Sequence, residues 1–197
     1  MSSAPSRSSA DPVDDALTAA VAAVTARIVA VGASNAAVVV DGRSGAGKSS
    51  LARRLVSVWP GHGRVQLVAL DDVYPGWDGL AEGVEYARET ILLPHARGLL
   101  GVWERWDWEV GARAEAYAVD PSLPLVVEGA GILTPEVARL ADLSVWVEAP
   151  DASRRDRALA RDGDTYRPHW QRWARQEDAH IEAHSPAERA DLRVRVP

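Results

Sequence analysis

Gly42-Arg43-Ser44-Gly45-Ala46-Gly47-Lys48-Ser49 decides the fold, because it fits the pattern G-x-x-x-x-G-K-[ST] and lies between two segments of different periodicity. Before it, Ala36-Ala37-Val38-Val39-Val40 is a continuous apolar run, suited to a parallel strand buried on both faces. After it, Leu51, Leu55 and Val58 fall on one face of a helix. A glycine-rich turn between such a strand and helix aims successive backbone N–H groups at an anion, and the helix N-terminus adds partial positive charge. Gly42, Arg43, Ser44, Gly45, Ala46, Gly47, Lys48, Ser49 and Ser50 are therefore the expected nucleotide cradle, for ATP with Mg²⁺ on the Ser49 hydroxyl. Lys48 is the only lysine in the chain, against 21 arginines. It stands where a compact ammonium must reach between phosphates and a planar guanidinium would not substitute.

The chain of 197 residues, 47% hydrophobic, can bury one good α/β core. A single domain over residues 13–197 is expected, after a disordered polar tail at 1–12. The absence of cysteine removes any disulfide framework or thiolate metal site. The N-terminal residues lack the apolar centre of a secretory signal, and no apolar run is long enough to span a bilayer. A soluble cytoplasmic protein with no membrane partner is the expectation, with a homodimer as one open assembly. A net charge of −6 argues against a nucleic-acid groove.

Along the chain, helix is expected from Asp14 to Val31, strand at 36–41, helix at 47–58 and strand at 64–70. A turn-rich segment spans 71–83, and helices are expected at 84–99 and 108–117. Strands follow at 125–127 and 143–147, with helices at 134–141, 151–162 and 168–184. Leu192-Arg193-Val194-Arg195-Val196 alternates as an edge strand does. Strands alternating with helices give a five-stranded parallel sheet sandwiched by helices, with ligands at the C-terminal ends of the strands.

Two acids should stand at that rim. Asp71 follows the strand at 64–70 and is the candidate base for an acceptor hydroxyl, as well as a metal ligand; Glu128 follows the strand at 125–127 and is the second metal candidate. Asp72 reads better as a turn former. Arg154, Arg157 and Arg161, spaced by three and four, share one helical stripe that suits a lid over the phosphates, while Arg155 points elsewhere. Of the five histidines, His180 and His184 form an i, i+4 pair with no third ligand, which reads as surface. Trp77, Asp78, Trp106 and Asp107 are candidates for an acceptor pocket of stacked rings and carboxylates.

These segments together resemble the uridine kinase branch of the P-loop kinases, in the same order. The carriers are Gly42–Ser49, Asp71-Asp72-Val73-Tyr74, Arg105-Trp106-Asp107-Trp108 with Arg113, Val126-Val127-Glu128-Gly129, and Val147-Glu148-Ala149-Pro150 leading into Arg154 and Arg157. The similarity covers roughly residues 36–165. It implies a nucleoside kinase-like P-loop fold, a catalytic acid at Asp71 beside Tyr74, a nucleoside pocket at Trp106-Asp107-Trp108 with Arg113, and a lid at 151–165 bearing Arg154 and Arg157. Asp71-Asp72-Val73-Tyr74-Pro75-Gly76-Trp77-Asp78-Gly79-Leu80 is similar to an actinobacterial group of small uridine-kinase-like ATP-binding proteins. The chain departs from the family at the substrate end, where the pyrimidine-contacting histidine would align near Gly111 and the ribose-holding Asp-His-Pro has no counterpart between 81 and 100.

The expected activity is ATP- and Mg²⁺-dependent transfer of a phosphoryl group to a small-molecule hydroxyl, foremost a nucleoside's. An antibiotic or other small-molecule phosphotransferase is the alternative within that class. A non-catalytic nucleotide-binding or switch protein is the alternative outside it. A GTPase would use Asn-Lys-x-Asp for guanine, and a chain whose sole lysine is Lys48 cannot contain it.

Overall fold

The computed structural model describes residues 11–197. Ten residues of the tail expected over 1–12 lie outside the described residues. The other two already serve the first helix, α1 (Pro12–Val31), whose N-terminus Asp11 caps by accepting from Val13 N at 3.0 Å. Leu17, Ala20, Val24 and Ile28 form its buried stripe.

The strand β1 (Ala37–Asp41) is buried along its whole length and enters the glycine-rich loop, which opens helix α2 (Lys48–Ser57). The strand β2 (Gln66–Ala69) runs into a tight turn at Leu70–Asp72. Helix α3 (Leu80–Ala87) continues through a wider π-type turn at Arg88–Leu92 into α4 (Leu93–Ala96). Strands β3 (Gly101–Asp107) and β4 (Ala112–Val119) form an antiparallel hairpin. Then come β5 (Leu125–Glu128), α5 (Pro135–Ala138), β6 (Leu143–Glu148), α6 (Asp151–Tyr166), α7 (Trp170–His184), α8 (Pro186–Arg189) and β7 (Leu192–Arg195).

Among the described residues the main sheet has five strands, all parallel, in the order β2-β5-β1-β6-β7, with β7 at the edge its sequence suggested. Its faces follow from the alternation of side chains along β1. Val38 and Val40 join Leu51, Leu55 and the α1 stripe on one face; Val39 joins Leu80, Ile91, Leu133 and Trp173 on the other. Each fully buried valine or leucine of this kind contributes about 1.5–3 kcal/mol relative to exposure. Val40, Glu128 and Ala69 lie opposite one another across three strands, so Asp41, Glu128 and the turn carrying Asp71 emerge at a single rim.

The helix expected at 108–117 is instead the turn and second strand of the hairpin. Alanine, arginine and glutamate favour a helix, but Ala112-Arg113-Ala114-Glu115-Ala116-Tyr117-Ala118-Val119 alternates with a period of two, and pairing with β3 prevails over propensity. Gly111, at φ 71°, supplies the left-handed residue that closes the turn, its N–H donating to Asp107 O at 2.7 Å. Arg113 latches the hairpin to the body: its guanidinium donates to Val73 O at 3.0 Å and Glu104 O at 3.1 Å and lies 3.8 Å from the centre of the Tyr86 ring. Arg113→Ala is expected to cost about 1–3 kcal/mol, since charge-assisted hydrogen bonds are lost. Hydrogen exchange should quicken selectively over 101–119; unchanged exchange there would show that the latch is idle.

Candidate functional site

The glycine-rich loop keeps its shape because neighbouring backbone leaves no room for side chains. A Cβ on Gly42, at φ 150°, would meet Val147 O at 2.2 Å, and one on Gly45, at φ 77°, would meet Arg154 O at 2.0 Å. Three buried polar side chains then hold the loop. The Asp41 carboxylate accepts from Gly42 N at 2.6 Å, Gly131 N at 2.9 Å and Leu133 N at 2.8 Å, and its Oδ2 lies 3.0 Å from His180 Nε2. Glu177, one turn earlier on α7, accepts from Ser44 N at 2.7 Å and from Arg43 Nε at 3.3 Å.

None of these three was singled out for the site from the sequence. The surface position expected for His180 is overturned: it is buried against Asp41. The available signal was Trp173, Glu177 and His180 at spacings of four and three, which puts two polar residues on a core-facing stripe. His184 lies beside His180 with ring centres 5.1 Å apart.

A cavity of about 200 Å³ opens over the loop, bordered by Ser44–Gly45, Gly47–Ser50, Asp71, Glu128, Arg157 and Arg161. Lys48 is buried, its Nζ donating to Arg43 O at 3.2 Å. Arg157 Nε donates to Gly45 O at 2.8 Å and Nη1 to Pro197 O at 2.6 Å, whereas its buried Nη2 has no partner among the described residues. Burial and the nearby Arg154 both hold the Arg157 pKa below the ordinary guanidinium value. An unsatisfied donor on a charge in such surroundings fits an anion such as phosphate. Arg154 is placed differently from a residue meeting the phosphates. Its guanidinium is buried behind the loop, donating to Ser44 O at 3.0 Å and to Asp151 at 2.6 Å, and does not border the cavity. Arg161, the third member of the stripe, borders it and lies 3.8 Å from Asp71.

The donors also fit Mg²⁺. Ser49 hydrogen-bonds to Glu128, and both border the cavity with Asp71. No three acids or histidines among the described residues enclose a metal by themselves; Mg²⁺ typically takes one or two carboxylates plus phosphate oxygens and water. Burial pushes the Glu128 carboxyl above the usual carboxylate range, against the opposing pull of Lys48 and of the Ser49 hydrogen bond. Asp72 is also raised, by burial and then by Asp71, and borders neither this cavity nor the next.

A second cavity, of about 590 Å³, adjoins the first and shares Ser44, Ser49, Arg53, Asp71, Glu128 and Arg161 with it. Beyond this shared rim its walls are largely aromatic: Tyr74, Trp77, Trp108, Tyr166 and Trp173. Trp77 lies 4.9 Å from Trp108 and 5.4 Å from Tyr166, and Tyr74 meets Trp173 edge-on at 4.8 Å. Trp108 is positioned by donating Nε1–H to Asp71 O at 2.8 Å, so the hairpin tip and the candidate base are joined. Of the residues expected to bind substrate, Tyr74 and Trp77 border this cavity, while Trp106, Asp78, Asp107 and Arg113 do not. Asp78 pairs with Arg172, Asp107 caps the hairpin turn, Arg113 is the latch, and Trp106 lies 5.7 Å from the Arg113 guanidinium.

No protein-family model and no curated protein matches the sequence. Solved structures do match in shape. One, described as a possible uridine kinase from Bacillus stearothermophilus, is 20% identical, with a TM-score of 0.66 over 90% of this chain and 98% of that one. Another, provisionally described as a fructose transport system kinase from Silicibacter sp., is also 20% identical, with a TM-score of 0.59 over 88% and 98%. The chain has the α/β P-loop fold. Among its described helices none is long and apolar enough to cross a membrane.

The raised Glu128 pKa has a definite sign. A carboxyl whose folded value lies above its unfolded one binds its proton more tightly when folded, so the group contributes stability at low pH that is lost as pH rises through the folded value. Once ionised, the buried carboxylate therefore opposes folding. Glu128→Gln is expected to raise the melting temperature of the metal-free P-loop protein at pH 7 and to flatten this part of its pH dependence. A lower melting temperature at pH 7 would show instead that the pairing with Lys48 outweighs desolvation.

Proposed function

We propose that the chain is an ATP- and Mg²⁺-dependent phosphotransferase that moves the γ-phosphoryl group to a hydroxyl of a small molecule. The observation that carries this reading is the shared rim: Ser49, Asp71, Glu128 and Arg161 border both the phosphate cavity and the aromatic cavity. An acceptor seated among the rings would present its hydroxyl where the transferable phosphoryl of a nucleotide on the loop would end. The kinase descriptions carried by proteins of the same fold agree with it.

In this scheme the acceptor oxygen forms a bond to the γ-phosphorus, the bond from that phosphorus to the β-bridging oxygen breaks, and ADP leaves. Asp71 takes the hydroxyl proton and returns it to solvent. Lys48 and Arg157 hold the phosphate oxygens, with Arg161 at the rim between the two sites. Mg²⁺ when bound supplies neutralisation of phosphate charge, and Ser49 and Glu128 are the residues that would hold it. Arg154 acts through the loop it braces. The cavity walls support stacking of a nucleoside base, the acceptor that the family resemblance implies; they do not support reading of that base by Asp78, Asp107 or Arg113.

Acceptor-dependent ADP release from Mg·ATP is the measurement that tests the reading, with nucleosides, sugars and other alcohols as acceptors. Asp71→Asn is expected to lower kcat by about 10²–10⁴ while leaving ATP affinity within a few-fold. Full turnover by that variant across pH would remove Asp71 from the role. Arg157→Ala is expected to lower kcat by about 10²–10³, as for loss of one donor to a charged transition state. An effect on ATP affinity alone would mean that this arginine only binds.

A further inference from the structure

With the shared rim set aside, the aromatic cavity is walled by its five rings and by Ala69 and Thr165. The polar ends of three of the rings are already committed to the protein. The Tyr74 hydroxyl donates to Ala130 O at 2.7 Å, Trp108 Nε1–H donates to Asp71 O, and the Tyr166 hydroxyl bonds Ser44. The side chains best suited to reading a polar ligand from further out, Asp78, Asp107 and Arg113, are engaged elsewhere. Thr165 is left as the one side chain with a hydroxyl not so committed among these walls, and it lies on an exposed stretch of α6.

The distal cavity thus has largely aromatic walls, and beyond the rim its side-chain hydrogen-bonding groups are no more than the Thr165 hydroxyl and the indole N–H groups of Trp77 and Trp173. A polyhydroxyl sugar or the amide edge of a pyrimidine would lose water there and gain few partners, and a site with so few does not select for those groups. A flat, weakly hydrogen-bonding ring would lose little and would stack.

From this, and resting on the phosphotransferase reading for the hydroxyl end, we infer that the acceptor is an alcohol carried on a flat aromatic ring system whose edges are not read by hydrogen bonds. The rim addresses the hydroxyl through Asp71, and the ring lies in the cavity against the aromatic walls, which pack on one another. The volume of about 590 Å³ falls within the range of small-molecule sites.

The test is calorimetric binding to the full chain in the presence of Mg·ADP, with 2-(indol-3-yl)ethanol, uridine and fructose as probes. Indolylethanol is expected to bind at least roughly tenfold more tightly than uridine, the scale of one stacking contact, with fructose weakest. Trp173→Ala should weaken indolylethanol by roughly tenfold and leave Mg·ADP affinity unchanged. Because that tryptophan is buried, the exposed Thr165→Val is the second variant: it should leave indolylethanol affinity intact. Uridine or fructose binding as tightly as indolylethanol, no indolylethanol binding, or a marked loss of its affinity in Thr165→Val would each overturn the inference. The expected binding order without acceptor-dependent ADP release would count against the phosphotransferase reading and leave the cavity's preference standing. Turnover of uridine with the reverse binding order would do the opposite.

Discussion

One buried carboxylate organises this molecule. Asp41 ends a strand whose other residues are apolar, and side-chain alternation turns it toward the α7 side of the sheet. There it gathers the first amide of the phosphate loop, two amides of the segment after β5 and the ring of His180. A charge removed from water is tolerable only when so completely satisfied, and the same completeness makes it a rigid fixture. Glu177 adds a second hold at Ser44, so the loop is fixed from a helix more than a hundred residues away in sequence. Both oxygens of Asp41 accept N–H bonds, and an amide in its place would have to turn a donor toward donors on one side or the other.

Helix α7 joins the two halves of the site. Trp173 walls the aromatic cavity, Gln176 donates to Trp77 O and accepts from Leu80 N, and Glu177 and His180 hold the phosphate loop and its neighbour Asp41. Glu128 faces the other way, toward Ser49 on α2, so the acids of the rim serve separate tasks: Asp41 shapes the loop, Glu128 meets Ser49, and Asp71 stands exposed over the junction of the cavities. The hairpin completes the junction by setting Trp108 against the Asp71 carbonyl.

The phosphate loop, the central strands and the rim positions of Asp71 and Glu128 were legible in the sequence because each depends on local pattern: glycine spacing, an apolar run, an acid at the end of a strand. The hairpin was misread because an alanine-rich segment has helical composition, and its two-residue alternation is weak when half its members are alanine. Asp41, Glu177 and His180 were passed over because their role arises only when α7 folds back across the sheet, and no local pattern encodes that return. Asp78 and Asp107 were drawn toward the acceptor by their chemistry and Arg113 by the family resemblance, whereas the fold uses each to hold a helix, a turn or the hairpin in place. Arg154 and Arg157 look equivalent as a helical stripe, but one is buried behind the loop and the other borders its cavity.

That the loop is held in its binding shape by Asp41 is the claim on which the site depends. It is tested most directly by the calorimetric affinity of Mg·ADP for Asp41→Asn, in protein whose circular dichroism shows the fold retained. Loss of one partner from a buried charged network is worth about 3–5 kcal/mol, so binding about a hundredfold weaker, or more, is predicted. Affinity within about threefold of the parent chain, well under 1 kcal/mol by the usual conversion, would contradict the account and leave the loop shaped by its glycines alone.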